Sequence, residues 1–110
     1  MIAPKYARPT FQPGQLVRHR RHGYRGVVVD YDPYCKAPDA WYGNNRTQPE
    51  RDQPWYHVFM HDTGAVTYAA QTSLIEDPSG EPIEHPLLDE FFTEFTGEAY
   101  LRNERAWQGW

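Results

Sequence analysis

The hydrophobic positions of the chain fall into short runs separated by turn residues, a pattern typical of β-strands. The clearest run covers residues 25–31 and contains three consecutive β-branched valines. Gly26 within it indicates a bulge or a close approach of another backbone segment. Residues 16–20 form a shorter run, and the Gly-containing turn at residues 22–24 predicts that the two runs are neighbouring strands.

The later part of the chain continues this pattern and then changes period. Residues 55–61 and 65–70 predict a hairpin, with Asp, Thr and Gly at residues 62–64 forming the tight turn. Residues 74–75 predict a short closing strand. Between residues 87 and 95 the apolar positions follow helical spacing, which predicts one amphipathic helix or two short turns across an open end of a barrel.

These elements predict a mainly β fold, a small β-barrel with a short C-terminal helix. The barrel domain is assigned to residues 11–96, after a flexible arm at residues 1–10 and before a C-terminal tail at residues 97–110. Residues 34–54 are rich in Pro, Asn, Gln and charge, so we predict a long surface loop pinned where the Trp41 and Tyr42 rings pack.

Size and composition favour a binding module over an enzyme. The chain has 110 residues and 12.9 kDa, which is one domain with little room for a deep active-site cleft. Its single cysteine, Cys35, has no internal partner for a disulfide, and neither a signal peptide nor a membrane-spanning segment is evident. We therefore expect a cytoplasmic, reducing location and no contact with membranes.

Charge is distributed unevenly along the chain, although the net charge is −4. Six Lys and Arg residues precede the first acidic residue, Asp30, whereas residues 76–98 contain eight acidic residues and no Lys or Arg. The net charge argues against strong non-specific DNA binding, but the basic front of the chain permits local contact with phosphates.

The strongest candidate for a binding surface is the predicted hairpin that carries Arg18, Arg20, Arg21, Tyr24 and Arg25. Guanidinium groups donate planar, bidentate hydrogen bonds to phosphate, and a tyrosine ring can stack on a base or sugar. Because side chains alternate along a strand, two of these arginines share a face. The alternative is a solvated hairpin end whose arginines pair with the acidic stretch.

A spaced set of residues covers nearly all of the chain from residue 11 to residue 95. It comprises Phe11, Gly14, Val17, His19, His22, Gly23, Tyr24, Gly26, Val27, Val28, Asp30, Asp32, Pro33, Trp41, residues 54–58, Tyr68, Ala69, His85, Pro86, Phe91 and Phe92. This set resembles the HspQ family, also named the YccV-like or hemimethylated-DNA-binding domain. The resemblance implies an SH3-like β-barrel, a homotrimer and a bacterial heat-shock (stress-response) role. It also implies binding of hemimethylated DNA, or service as a substrate or adaptor of the ATP-dependent protease Lon.

Aromatic side chains are the candidates for reading a methyl group or binding a partner protein. A reader of hemimethylated DNA needs an apolar contact in the major groove. Four aromatic residues could supply it or belong to the core: Trp41, Tyr42, Trp55 and Tyr56. For a protein partner we assign Phe91, Trp107 and Trp110 together with those two tryptophans, because large aromatic side chains anchor interfaces.

The sequence favours neither metal binding nor catalysis. His57 and His61 would lie roughly 13 Å apart along a strand, too far to share a metal. Residues 62–65 match the active-site loop of aspartic proteases, but His61 stands where that family has an apolar residue. A hairpin turn is the simpler interpretation, so we expect no catalytic residue, no metal and no cofactor.

Overall fold

The computed structural model describes residues 7–109, and its regular structure is mainly β, as the sequence predicted. In chain order the elements are β1 (Leu16–His19), β2 (Arg25–Asp32), α1 (Asp39–Gly43), β3 (Trp55–Met60), β4 (Val66–Ala70), a 3-10 turn (Gln71–Ser73), β5 (Leu74–Glu76), α2 (Leu88–Phe91), β6 (Phe92–Phe95) and β7 (Tyr100–Arg102). Neither helix of the described range has the length and apolar content needed to span a bilayer.

Five strands form one antiparallel sheet in the order β4-β3-β2-β1-β5. Strands consecutive in the chain pair as hairpins, and β5 returns to the far edge beside β1. The predicted hairpin of β3 and β4 is confirmed, and its turn contains Asp62 with a φ of 61°. Strands β6 and β7 pair separately as a two-stranded sheet.

The three valines of β2 are consecutive because the sheet is buried on both faces. Val27, Val28 and Val29 are all 0% exposed. Val28 packs with Tyr56 and other side chains on what we call the inner face. Val27 and Val29 pack on the outer face with Phe59 and with residues from the C-terminal part of the chain. A strand that is buried on both sides has no polar face, so alternation is absent.

Gly26 marks a close approach between β2 and β3. A Cβ atom at this position would lie 2.5 Å from the carbonyl oxygen of Phe59 and 2.4 Å from a methyl group of Val58. The close-approach prediction for Gly26 is therefore confirmed, whereas the bulge of β2 lies farther along, between Val28 and Asp30.

The helical prediction for residues 87–95 is wrong in its second half. One helical turn, α2, covers Leu88–Phe91, but Phe92–Phe95 form β6. Phe92 pairs with Arg102 and Phe95 pairs with Tyr100, so β6 has one extra residue relative to β7. Such a bulge places Phe92 and Phe95 on the same face of the strand although they are three residues apart. A spacing of three residues between apolar positions is also what a helix produces.

The segment that the sequence assigned to a tail contributes to this fold. Tyr100 lies in β7, where its backbone N–H donates to the carbonyl of Gly14 at 2.8 Å. Arg102 Nε donates to the carbonyl of Val29 at 2.8 Å, across the outer face of β2. Trp107 packs edge-on against Phe59 with ring centroids 5.6 Å apart. The C-terminal segment therefore covers the outer face of the main sheet.

The long loop between β2 and β3 is pinned by aromatic contacts, as predicted. It contains α1, whose Trp41 and Tyr42 rings lie edge-on to Trp55 at centroid distances of 6.1 and 6.3 Å. Cys35 is buried in the same cluster at 4% exposure. The loop consequently lies against β3 and β4 and carries residues 44–49 to the edge of β4.

Candidate nucleic-acid interface

Residues 20–24 join β1 to β2, and we call them the basic turn. His19, only 8% exposed, organises it from the end of β1. His19 Nδ1 accepts hydrogen bonds from the backbone N–H groups of Arg21 at 3.2 Å and His22 at 3.0 Å. The N–H of Gly23, with φ at 74°, donates to the His19 carbonyl at 3.0 Å. A histidine side chain thus replaces solvent as the acceptor for two turn amides.

Three arginines of the hairpin are exposed to solvent and have no acidic partner among the residues that the structure describes. Arg18, Arg20 and Arg21 are exposed. Within residues 7–109 no carboxylate oxygen lies within 4.0 Å of their guanidinium groups. Within that range their positive charges are therefore uncompensated by close contacts, which leaves their guanidinium donors available for an external anion.

Arg25 is engaged inside the protein. Its Nε donates to Asp77 Oδ2 at 2.7 Å, and its Nη2 donates to the Glu81 carbonyl at 2.5 Å. Burial acts to raise the pKa of Asp77, but hydrogen bonds from Arg25 and Ser79 outweigh burial and lower that pKa below its ordinary value. The alternative in which hairpin arginines pair with the acidic stretch thus describes Arg25, whereas the other three arginines stay available.

Tyr24 closes the basic turn and belongs to a stack of rings. It is half-buried, and its hydroxyl shares a hydrogen bond of 2.9 Å with Thr67 Oγ1 on β4. Burial raises the pKa of Tyr24, although the bond with Thr67 acts in the opposite direction. Its ring stacks on His19 at 5.1 Å, and His19 stacks on His22 at 4.4 Å. We call these three side chains the ring stack.

The ring stack forms one wall of a cleft of about 400 Å³. Strand β4 and the loop that carries α1 supply the other walls, including Trp41, Asn45 and Thr67. The cleft therefore combines aromatic surface with amide and hydroxyl groups, directly beside the basic turn. Sequence reasoning missed it because its walls come from three segments that are distant along the chain.

Within residues 7–109, the aromatic residues assigned to a protein partner do not form one surface. Trp55 and Phe91 are 2% and 6% exposed, so both are core residues. Trp41 is half-buried and packs with Trp55, whereas Trp107 is half-buried and packs with Phe91 in a different cluster. Trp110 lies outside the described residues.

A buried polar network on the outer face was also missed by sequence reasoning. Asp32, 7% exposed, accepts a hydrogen bond of 2.6 Å from the Tyr68 hydroxyl and lies 3.3 Å from His57 Nε2. Burial and the bond to Asp32 raise the pKa of Tyr68. Because the three residues lie on β2, β3 and β4, the network ties these strands together. The only signal in the sequence is an acidic residue at the end of a buried strand.

The structure shows how the residues considered for metal binding or catalysis are arranged. Across residues 7–109, no three His, Cys, Asp or Glu side chains lie close enough together to hold a metal ion. Asp62 lies in the turn between β3 and β4, where its N–H donates to the Glu84 carbonyl at 2.9 Å. Residues 62–65 therefore form the hairpin turn that their sequence favoured.

Comparison with known proteins places the chain in a family. The family model described as "Hemimethylated DNA-binding protein YccV like" matches residues 9–99. F-box only protein 21 of Homo sapiens is 34% identical over 93 residues, and so are the proteins of that name from Pongo abelii and Mus musculus. The match covers 82% of this chain but only 15% of each relative. The chain belongs to the YccV-like family of hemimethylated-DNA-binding proteins.

Proposed function

We propose that this chain is a non-enzymatic module that binds duplex DNA through Arg18 and the basic turn, with hemimethylated sites as its preferred target. One observation carries the proposal. Arg18, Arg20 and Arg21 are exposed in the β1–β2 hairpin and have no acidic partner within 4.0 Å among residues 7–109. Membership of the YccV-like family supports DNA as the ligand.

Charge distribution explains how an acidic protein binds a polyanion. With a net charge of −4, the protein as a whole is repelled by DNA, so we expect Arg18 and the basic turn to be the part that approaches the phosphates. Contacts of this kind fix position and register, whereas a methyl group must be read by an apolar contact with the base. Affinity should therefore depend strongly on salt, with a slope set by the number of phosphates contacted.

The decisive experiment titrates unmethylated, hemimethylated and fully methylated duplexes of one sequence across a salt series. We expect the hemimethylated duplex to bind most tightly, with all three showing the same salt slope. Equal and weak binding of all three at about 150 mM salt would contradict methyl recognition.

A double variant, Arg20→Gln with Arg21→Gln, tests the assigned surface. Because each lost phosphate contact reduces the salt slope by about one, we expect a reduction of about two. Arg105→Gln is the matched control, since Arg105 is exposed and lies in the C-terminal segment 3.9 Å from Glu90. An unchanged slope in the double variant would place the DNA elsewhere.

The finer architecture that we propose is an SH3-like barrel. Strand order β4-β3-β2-β1-β5 and the 3-10 turn before β5 support it. So does the hydrogen bond between the hydroxyls of Tyr24 and Thr67, which links the basic turn to β4. An experimentally determined structure tests this assignment, and light scattering tests the homotrimer that the family resemblance implies.

The second candidate function is an adaptor or substrate of Lon in the cytoplasmic heat-shock response. Exposed carboxylates on and after α2, among them Glu90, Glu94 and Glu98, offer a surface of opposite charge to the basic turn. Degradation of a reporter substrate by purified Lon, with and without this chain, tests the adaptor role. Unchanged reporter kinetics together with a stable chain would exclude both roles.

A further inference from the structure

We infer that the cleft beside the basic turn holds a single nucleobase that has left the duplex stack, while the turn holds the adjoining phosphates. This inference rests on the proposed DNA binding and adds the part of the ligand that enters the protein. It is carried by the volume of the cleft, its aromatic wall, its unpaired polar groups and its position beside uncompensated arginines.

The size and wall of the cleft suit a flat heterocycle. Its volume of about 400 Å³ lies within the range of small-molecule sites, roughly 300–1,000 Å³. The ring stack supplies parallel aromatic faces, with His22 exposed at its outer end. Every base has a π-face, so an extruded base can extend such a stack whatever its identity.

Polar groups in the cleft are available for the edge of a base. Asn45 and Thr47, from the loop that carries α1, line the cleft together with the ring stack. No hydrogen bond to the Asn45 amide or the Thr47 hydroxyl occurs within the described part of the chain. An asparagine amide offers a donor and an acceptor side by side, which matches the edge of a base.

The basic turn is positioned for the phosphates of the same nucleotide. Arg20 and Arg21 lie between His19 and His22, both of which line the cleft. Because both arginines are exposed and are flanked in sequence by these two histidines, we expect the phosphates that they bind to adjoin the base in the cleft. Met60 and Val66 add apolar surface to the cleft, which a methyl group on the base can contact.

The test uses a hemimethylated duplex with 2-aminopurine next to the methylated base, because this analogue fluoresces when stacking is lost. We expect the chain to raise the fluorescence on binding. Introducing a mismatch at the methylated base should tighten binding, since less energy is then needed to extrude the base. Asn45→Ala should weaken binding about tenfold and leave the salt slope unchanged.

Asn44→Ala is the matched control, because Asn44 is exposed and is not part of the cleft wall. Thermal unfolding of both variants checks that neither has lost its fold. Salt-dependent binding without a fluorescence change, and with Asn45→Ala equal to wild type, would overturn the cleft assignment and leave DNA binding intact. Absence of duplex binding even at low salt would overturn both.

Discussion

The strands and the turn of the β1–β2 hairpin differ in almost every physical respect. Val27, Val28 and Val29 in β2 are 0% exposed and lie between two apolar layers. Arg20 and Arg21 in the turn are exposed and lack close acidic partners within residues 7–109. The strand residues contribute to the stability of the fold, whereas the turn residues are placed to contact a binding partner. Substitutions in the two regions should therefore separate loss of folding from loss of binding.

The largest effect should follow from Gly26→Ala in β2. The added methyl group would meet the Phe59 backbone at 2.5 Å, so β2 and β3 must separate. We expect the free energy of unfolding to fall by about 3 kcal/mol in urea titrations. Gly43→Ala at the end of α1 is the control, because nothing lies within 4 Å of its added methyl group. Equal stability of the two variants would contradict the close approach.

A smaller loss should follow from Arg25→Met, which removes the partner of the buried Asp77 carboxylate. We expect a loss of about 2 kcal/mol at pH 7. Since the folded-state pKa of Asp77 is lowered, its contribution is complete above the ordinary value of 3.8 and is lost as pH falls through the folded pKa. In urea unfolding at pH 7 and pH 3, the difference in stability between wild type and Arg25→Met should be smaller at pH 3. The same difference at both pH values would contradict a contribution from the ion pair.

His19 is the last residue of β1, and its side chain accepts hydrogen bonds from two amides of the turn. We expect His19→Phe to lower the free energy of unfolding by about 1 kcal/mol, because both amides lose their acceptor. Amide exchange by NMR should quicken at Arg21 and His22. Burial and the charge of His22 lower the pKa of His19 below 6.5, so its stabilisation is present above pH 6.5 and is lost as pH falls. The variant should therefore differ less from wild type at pH 5, and unchanged exchange would contradict the turn geometry.

The smallest change in stability is expected for Arg18→Gln. Arg18 lies directly opposite Arg25 in the ladder, and like charges in that position repel. Stability should stay within about 0.5 kcal/mol of wild type. The salt slope for duplex binding should fall by about one, measured by fluorescence anisotropy. A large loss of stability with unchanged binding would contradict the assignment of Arg18, an exposed residue of β1, to the DNA-binding surface.

The local pattern of apolar and turn residues was sufficient to predict the strands that pair with strands close to them in sequence. The valine run predicted β2, and the turn at residues 62–64 predicted the hairpin of β3 and β4. Residues 87–95 failed because a one-residue bulge in β6 places Phe92 and Phe95 on one face, as a helix would. Periodicity cannot distinguish these two geometries over so few residues.

Of the candidate site, the sequence predicted the positively charged residues but not the contacts between distant segments. The exposed arginines follow from hairpin geometry, but the pairing of Arg25 with Asp77 joins residues 52 positions apart. The cleft likewise requires the loop of Asn45 to reach β4 beside Tyr24. Contacts between distant segments leave no periodic trace in a single sequence, so neither feature could be derived from it.

The covering of the outer sheet face has a consequence for how the protein is made. Arg102 bonds to Val29 across 73 positions, and Trp107 reaches Phe59. During synthesis β2 and β3 therefore leave the ribosome well before the residues that cover them, with Val27, Val29 and Phe59 open to water. Long-range contacts of this kind slow folding, and the exposed apolar strip is the surface that a chaperone, or another nascent copy, meets first.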